Sequence, residues 1–389
     1  MKKRIEVFLF IDALGWELVR ETHFMEHELP ERRKIRMQFG YSCTAIPTIL
    51  SGKTPSAHGH LGLFCYDPEH SPFKLLGLAH PLLRPRSFWN RGRVRNVLSK
   101  VVKKLYGYTG YFQLYRMPLD RIGKMDYCEK KNLFVSKGMD PVENLCDLLE
   151  KEGLDFHISD WHLKDAENFA IGRRLLEEEK CEFLFLYTAG FDALEHAHVD
   201  DRKIIHSGLD FYADGIRGLI EAGAAHSDEF HITVFSDHGM TPLAGTVDLE
   251  AAVRKTGLVF GRDYAACYDS TMFRVHFLKP ESEPLIREAL VPFASSGRWL
   301  TREEERGYGI EREDRKFGDA IFLLNPGLQI VPSDMCAKPL NGMHGFDPDD
   351  PDSSAAILSN VPIPDDVNQV ADYFGLMRRR IAELRELHR

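Results

Sequence analysis

At 389 residues the chain can bury one large core or two moderate ones, and its 43% apolar content is ordinary for a globular protein. A formal net charge of −9 argues against general nucleic-acid binding, and no apolar run approaches the roughly 20 residues that span a bilayer. The seven cysteines are scattered, odd in number and form no C-x-x-C pair, which fits reduced thiols and excludes a disulfide framework or a zinc knuckle.

The start, Met1-Lys2-Lys3-Arg4 followed by Val7-Phe8-Leu9-Phe10-Ile11, has the outline of a signal peptide. Its apolar core is too short, Asp12 interrupts it, and no small-residue cleavage site follows. Residues 5–11 read instead as a first strand buried on both faces, and the expected location is the cytoplasm. Asp12 stands at the carboxyl end of that strand, as a turn or cap residue or as a ligand.

Tyr41-Ser42-Cys43-Thr44 leads into a short apolar helix with Pro47 in its first turn, stopped by Gly52 and Pro55. Ser42 or Thr44 could simply cap it. The same N-terminus would also offer free N–H groups, near Cys43 and Thr44, and a positive dipole end to an oxyanion, with a hydroxyl in place to attack phosphorus.

From His60 to about Gly138 the pattern loosens. Between Arg84 and Lys137 there are 14 Lys/Arg against three acids, Asp120, Asp126 and Glu129. Arg91 to Leu105 suits a basic helix with Val94, Val97, Leu98, Val101, Val102 and Leu105 on its apolar side, and Tyr106, Tyr108, Tyr111, Phe112 and Tyr115 crowd the loop after it. Residues 63–138 therefore read as an insertion, either a solvated basic face over a small satellite core or a lid whose Arg and Lys meet an anionic substrate. A membrane-surface role lacks a clean amphipathic pattern.

Helices and strands then alternate: a helix over 141–152 with Asp140 as cap, a strand at 156–158, a helix over 164–178, a strand over 182–188, a helix over 200–222 and a strand over 230–235. The stretch 257–335 is more mixed, with strands at 271–277 and 319–324 and helices near 281–292 and 301–306. A late strand covers 354–359 and a long helix 365–388. No repeat, low-complexity tract or flexible linker divides the chain. The expectation is one α/β domain over 1–389, with a mostly parallel central sheet and helices on both faces.

Chemistry gathers after the strands. Phe235-Ser236-Asp237-His238-Gly239-Met240 sets an adjacent Asp and His at a strand's carboxyl end, where open parallel sheets place their ligands; the structural alternative is Asp237 as a helix cap. Asp192 and His196 form D-x-x-x-H, which on a helix shares one face. His344 sits between glycines in Gly342-Met343-His344-Gly345-Phe346, a poor packing position. By type, Asp12, Asp237 and His238 suit one divalent ion and Asp192, His196 and His344 another, and such a pair can clamp a phosphoryl group.

These pieces resemble the alkaline phosphatase superfamily, and most its nucleotide pyrophosphatase/phosphodiesterase branch. The matching segments are the strand ending in Asp12, the hydroxyl-rich lead into "SGKTPSAHG" at 51–59, Asp192 to His196, Ser236 to Gly239 and "GMHGF" at 342–346. The resemblance implies a two-zinc site, with these ligand sets, and a covalent phospho-enzyme. Family spacing, counted back nine residues from Ser51, gives Ser42 as nucleophile; Thr44 keeps the more usual residue type and is the alternative. The C-x-P-x-R motif of sulfatases is absent, since Thr44, Ala45 and Ile46 follow Cys43.

The expected function is a metal-dependent phosphoesterase that hydrolyses a phosphodiester or pyrophosphate of an anionic, phosphate-containing substrate, with two Zn2+ or else Mn2+ ions and without a nucleic-acid polymer as partner. A phosphomonoesterase, or a phosphoryl or phosphoglycerol transferase, on the same site is the nearer alternative. A non-catalytic polyanion-binding protein with structural metals is the more distant one.

Overall fold

The computed structural model describes residues 3–79 and 86–388; Met1, Lys2 and Arg84, the first residue of the basic stretch, lie outside them. In chain order the strands are β1 (Arg4–Ile11), β2 (Glu31–Ile35), β3 (Phe64–Tyr66), β4 (Met125–Tyr127), β5 (Phe156–Ile158), β6 (Phe183–Thr188), β7 (Glu229–Phe235), β8 (Thr241–Pro242), β9 (Gly245–Val247), β10 (Tyr264–Tyr268), β11 (Met272–Phe277), β12 (Gly297–Trp299), β13 (Ala320–Leu324), β14 (Leu328–Ile330), β15 (Gly342–Met343) and β16 (Ala355–Ser359).

The central sheet runs β2-β16-β7-β1-β6-β5. β5, β6, β1 and β7 are parallel, and β16 is antiparallel to both β7 and β2. Successive residues of β1 feed opposite cores. Ile5, Val7, Leu9 and Ile11 pack with Phe169, Leu176, Leu209, Ile216 and Leu219 of helices Asp165–Glu177 and Arg202–His226. Phe8 and Phe10 pack on the other face with Ala45, Ile49, Leu149, Leu376 and Ile381, from helices Ser42–Ser51, Leu145–Glu152 and Tyr373–Leu387. Both faces being covered, the strand is apolar without alternation, and each buried Leu, Ile or Phe stabilises it by about 1.5–3 kcal/mol. β2, with sequence Glu-Arg-Arg-Lys-Ile, closes one edge with charge, as exposed edges require.

A second, antiparallel sheet, β10-β11-β13-β12, carries its own apolar face. Its β10–β11 turn, Asp269-Ser270, reaches the pocket described below. The insertion has a satellite core of Leu63, Phe73, Val102, Phe112, Leu114 and Ile122 around the β3–β4 pair. No helix among the described residues is long and apolar enough to cross a membrane.

Four local expectations are corrected. The helix expected from Pro141 begins at Leu145, because Asn144 accepts the Asp147 N–H and Asp147 in turn accepts that of Asn144. The C-terminal helix begins at Tyr373, not Asp365, with a short turn of 3-10 helix at Val370–Asp372 leading into it. Pro47 lies in the second turn of helix 42–51, whose first residue is Ser42. Helix Gly92–Tyr106 does not bury the expected apolar side. Val102 is buried, whereas Val97, Val101 and Leu105 are 62%, 49% and 77% exposed. The inward face is instead a polar seam: Arg95 donates to the Met117 carbonyl at 2.9 Å, and Ser99 accepts the Leu114 N–H at 2.9 Å.

Candidate active site

Because β1, β6 and β7 run parallel, their carboxyl ends share one edge, and Asp12, Ala189 and Ser236-Asp237-His238 follow them there. The loops after β1 and β7 are bound together. Ala13, at φ 65°, turns its N–H toward Asp237 Oδ1 at 3.4 Å, while the Asp12 N–H donates to the carbonyl of Thr188, at the end of β6, at 3.0 Å. The buried Ser236 hydroxyl donates to the Leu14 carbonyl at 2.7 Å and accepts the Ala356 N–H at 2.9 Å. A Cβ on Gly15 would stand 2.7 Å from the Gly239 Cα, so the two loops cross at backbone contact. Neither aspartate caps a helix: the helix after β1 starts at Trp16 with Gly15 as cap, and no helix begins at 238–240.

Two ligand groups result, Asp12-Asp237-His238 and Asp192-His196-His344. His238 Nε2 lies 3.4 Å from Asp12 Oδ1 and 3.3 Å from Asp237 Oδ2. Helix Gly190–His198 presents Asp192 and His196 on one face, with Nε2 of His196 3.3 Å from Asp192 Oδ1, and His344 Nε2 approaches the same oxygen at 3.6 Å. His344 follows the short strand β15, which pairs with β8. The Nδ1 atoms of His238 and His196 meet the carbonyls of Gly239 and Gly342 at 2.9 and 2.8 Å, an arrangement that leaves each Nε2 lone pair for a cation.

The electrostatics fit divalent ions. Burial, then the charges of Asp237 and Asp192, raises the Asp12 carboxyl well above its usual range. Burial also raises Asp237, against the pull of His238. Burial, with His238 and His196, holds His344 well below the usual imidazole value. Asp192 Oδ1, Asp237 Oδ2 and His344 Nδ1 are buried without a hydrogen-bond partner, an arrangement that costs about 1–3 kcal/mol per atom unless something else satisfies it. Carboxylate and imidazole donors with this shortfall are what a divalent cation fits.

Ser42 is the first residue of helix 42–51, whose cap position is Tyr41 with no side-chain hydrogen bond, so Ser42 does not cap it. Its Oγ lies 3.0 Å from His238 Nε2 and 3.3 Å from Asp12 Oδ1. Thr44 is fully buried and accepts the Gly62 N–H at 3.4 Å, while its own N–H goes to the Tyr41 carbonyl at 2.7 Å.

A pocket of about 310 Å³ opens over Ser42, Asp12 and the Asp192-His196-His344 group, with Asp237 and His238 buried outside its lining. Its wall includes Cys43, Tyr111, Tyr115, Glu129, Phe134, Trp161, Tyr187 and Asp269, residues the sequence left unassigned. Two signals were present: aromatics crowded after the basic helix, and Glu129 was one of three acids in that basic run. The lid alternative finds no basic contact here, since no Lys or Arg is among the described residues lining the pocket. Two basic side chains of the insertion pair elsewhere, Arg121 with Glu250 at 2.7 Å and Lys130 with Asp126 at 2.7 Å.

A family model for type I phosphodiesterase / nucleotide pyrophosphatase matches residues 7–347. The solved structure of human ectonucleotide pyrophosphatase/phosphodiesterase 5 is similar at TM-score 0.67 and 13% identity, covering 98% of this chain and 95% of that one. The murine counterpart gives TM-score 0.66, and an inactive form of it in complex with AMP gives 0.64, each at 13% identity over 98% of this chain and 95% of that one. These structures share the fold. No curated protein matches.

Proposed function

The chain belongs to the type I phosphodiesterase/nucleotide pyrophosphatase family and is a phosphate-ester hydrolase, and from that premise we propose that it cleaves a phosphodiester or pyrophosphate through a phosphoseryl intermediate on Ser42. The observation that carries this reading is the position of Ser42 Oγ, 3.0 Å from His238 Nε2 at a helix N-terminus, in a pocket lined by Asp12 and by Asp192, His196 and His344.

Asp12, Asp237 and His238 would hold one divalent ion, and Asp192, His196 and His344 the other, Zn2+ by ligand type with Mn2+ as the competitor. Bound there, the ions supply Lewis acidity, favouring the ionised form of a hydroxyl or water and stabilising charge on phosphoryl oxygens. Ser42 Oγ forms the bond to phosphorus, and the leaving alcohol or phosphate departs on the opposite side. The Cys43 N–H, in the helix's first turn, and the positive end of the helix dipole favour the anionic phosphoryl group. Water then attacks the phosphoserine and restores the hydroxyl.

The pocket beyond the ligand groups has room for a second substituent on phosphorus, which favours a diester over a monoester. The AMP complex of the murine relative is compatible with a nucleotide among the candidate substrates. With Tyr111, Tyr115 and Glu129 in the pocket wall, the 63–138 insertion acts as its cap. Seven free cysteines favour a reducing compartment, the cytoplasm.

The test is hydrolysis of a bis-aryl phosphate diester against the aryl monoester. Metal-stripped protein is reloaded with zinc or manganese, and Ser42→Ala is the control. A diester preference lost in the variant is expected. A monoester preference would move the protein to the phosphatase or transferase reading.

A further inference from the structure

Helix Gly92–Tyr106 holds its exposed apolar residues in line. Val97, Val101 and Leu105 recur every four residues, so they form one stripe along the helix, and all three are exposed. Leu98 and Val102 continue that stripe inward, onto the satellite core. Arg93 stands four positions before Val97, and Lys100 and Lys104 three and seven after it, which sets a row of cations along the stripe's outer border. These three side chains are exposed, the helix contains no acidic residue, and among the described residues no carboxylate pairs with them. The sequence pattern is blurred because Arg95 and Ser99 interrupt it. Both turn inward to backbone partners, which leaves the stripe and the cation row together on the outer face.

A second helix adds to the apolar surface. Phe73 meets Tyr106 with ring centroids 6.1 Å apart, so helix Lys74–Ala79 starts beside the C-terminal end of helix 92–106. Its Leu75 and Leu78, three positions apart, are both largely exposed, while Gly77 packs inward on Gly123. Before the other end, Phe88 is exposed with the Arg91 guanidinium 5.6 Å from its ring centroid.

A convex helix with a cation row beside an apolar stripe is built like helices that lie in the plane of a membrane surface. The aliphatic side chains enter the acyl boundary, and the Lys and Arg stems extend to the headgroups. Charge selects the lipid. The whole chain carries −9, whereas between Arg84 and Lys137 basic residues outnumber acids by 14 to three. An anionic surface attracts this face and repels the rest of the molecule, so charge sets orientation as well as affinity. Two-fold pairing with a second copy would instead bring two positive faces together.

We propose that this face of the insertion, Val97, Val101 and Leu105 bordered by Arg93, Lys100 and Lys104, docks the protein on an anionic lipid bilayer with the helix in the plane of the surface. Docking of this kind is independent of the phosphodiesterase reading.

The test is co-sedimentation of the protein with sucrose-loaded vesicles, either phosphatidylcholine alone or phosphatidylcholine and phosphatidylglycerol in equal parts. Partitioning onto the anionic vesicles is expected to exceed that onto the neutral ones at least about tenfold, and to fall by a similar factor when salt rises from about 0.05 to about 0.5 M. Lys100→Gln with Lys104→Gln should lower anionic-vesicle partitioning about tenfold or more, and so should Val101→Ser with Leu105→Ser. Since the four side chains are exposed, both double variants should keep the wild-type melting temperature. Equal partitioning of the wild type onto the two vesicles, or none onto either, overturns the proposal whatever the variants do. Wild-type partitioning by either double variant overturns it as well. So does a dimer in lipid-free buffer, seen by sedimentation equilibrium, that both double variants dissociate; that result would assign the face to a second copy.

Discussion

The imidazoles of His238 and His344, one from each ligand group, stack at 3.7 Å between ring centroids with their planes 10° apart. Two imidazolium rings would repel strongly at that distance, and burial together with His238 and His196 keeps His344 well below its usual value. His344 therefore enters the stack as a neutral ring, the form that binds metal.

Metal must compete with protons at this centre. Asp12 and Asp237 have raised carboxyl values and hold protons longer than exposed aspartates do. Metal loading is expected to release protons, and affinity is expected to rise with pH through the mildly acidic range. Titration calorimetry of the metal-stripped protein in buffers of different ionisation enthalpy measures the release. Binding with no proton release would contradict the buried, proton-holding state of these carboxylates.

The same burial sets the stability of the metal-free protein. A carboxyl raised in the folded state binds more protons there than in the unfolded chain. Stability is thus lost as pH climbs from the ordinary aspartate value to the raised one, and the loss is complete above it. Asp237→Asn removes the burdened charge. It should raise the melting temperature of metal-stripped protein near neutral pH by on the order of 2–4 °C, while abolishing stabilisation by zinc. A variant no more stable than wild type without metal would count against this account.

Ser42 and Thr44 should part company on mutation. Ser42→Ala is expected to lower diester turnover on the order of 10³-fold or more with little change in stability. Thr44→Ala leaves the Gly62 N–H without its acceptor and should destabilise by about 1–3 kcal/mol in urea, with turnover less affected. The reverse pattern would make Thr44 the nucleophile.

Glu129 supplies a pH signature of its own. Its carboxyl rises from an ordinary value near 4.5 to about 8 on folding. Its contribution to stability is most favourable below the lower value and is lost as pH rises across that window, on the order of a few kcal/mol. Glu129→Gln should flatten the stability profile between those limits, measured by urea melts at stepped pH. A profile parallel to wild type would show that the carboxyl is not desolvated.

The candidate ligand groups were legible because Asp12 and Asp237-His238 follow apolar strands, Asp192 and His196 have four-residue spacing and His344 stands between glycines, all local signals. Asp12 and Asp237-His238 meet because β1 and β7 pair in parallel, a consequence of pattern alone. The pocket wall was less legible. Trp161 and Tyr111 are 50 positions apart in sequence and meet only where the insertion packs against the segment after β5. β2 was unreadable because four of its five residues are charged, an edge-strand composition that propensity assigns to loop. The wrong face of helix 92–106 has a similar cause, since Arg95 and Ser99 find backbone partners inside and the apolar stripe is displaced outward.

The crossing of Gly15 and Gly239 bears on how this catalytic centre can change over generations. A methyl group at Gly239 would come within 2.2 Å of the Asp352 carbonyl and 3.0 Å of the Gly15 Cα, and one at Gly15 would collide with Gly239 in turn. Neither position can drift alone, and changing both worsens the collision. The two positions thus behave as one inherited character. In a remote descendant whose overall likeness had eroded, a side chain at either site would warn that the loops had separated, even with Asp12, Asp237 and His238 still spelled in the sequence.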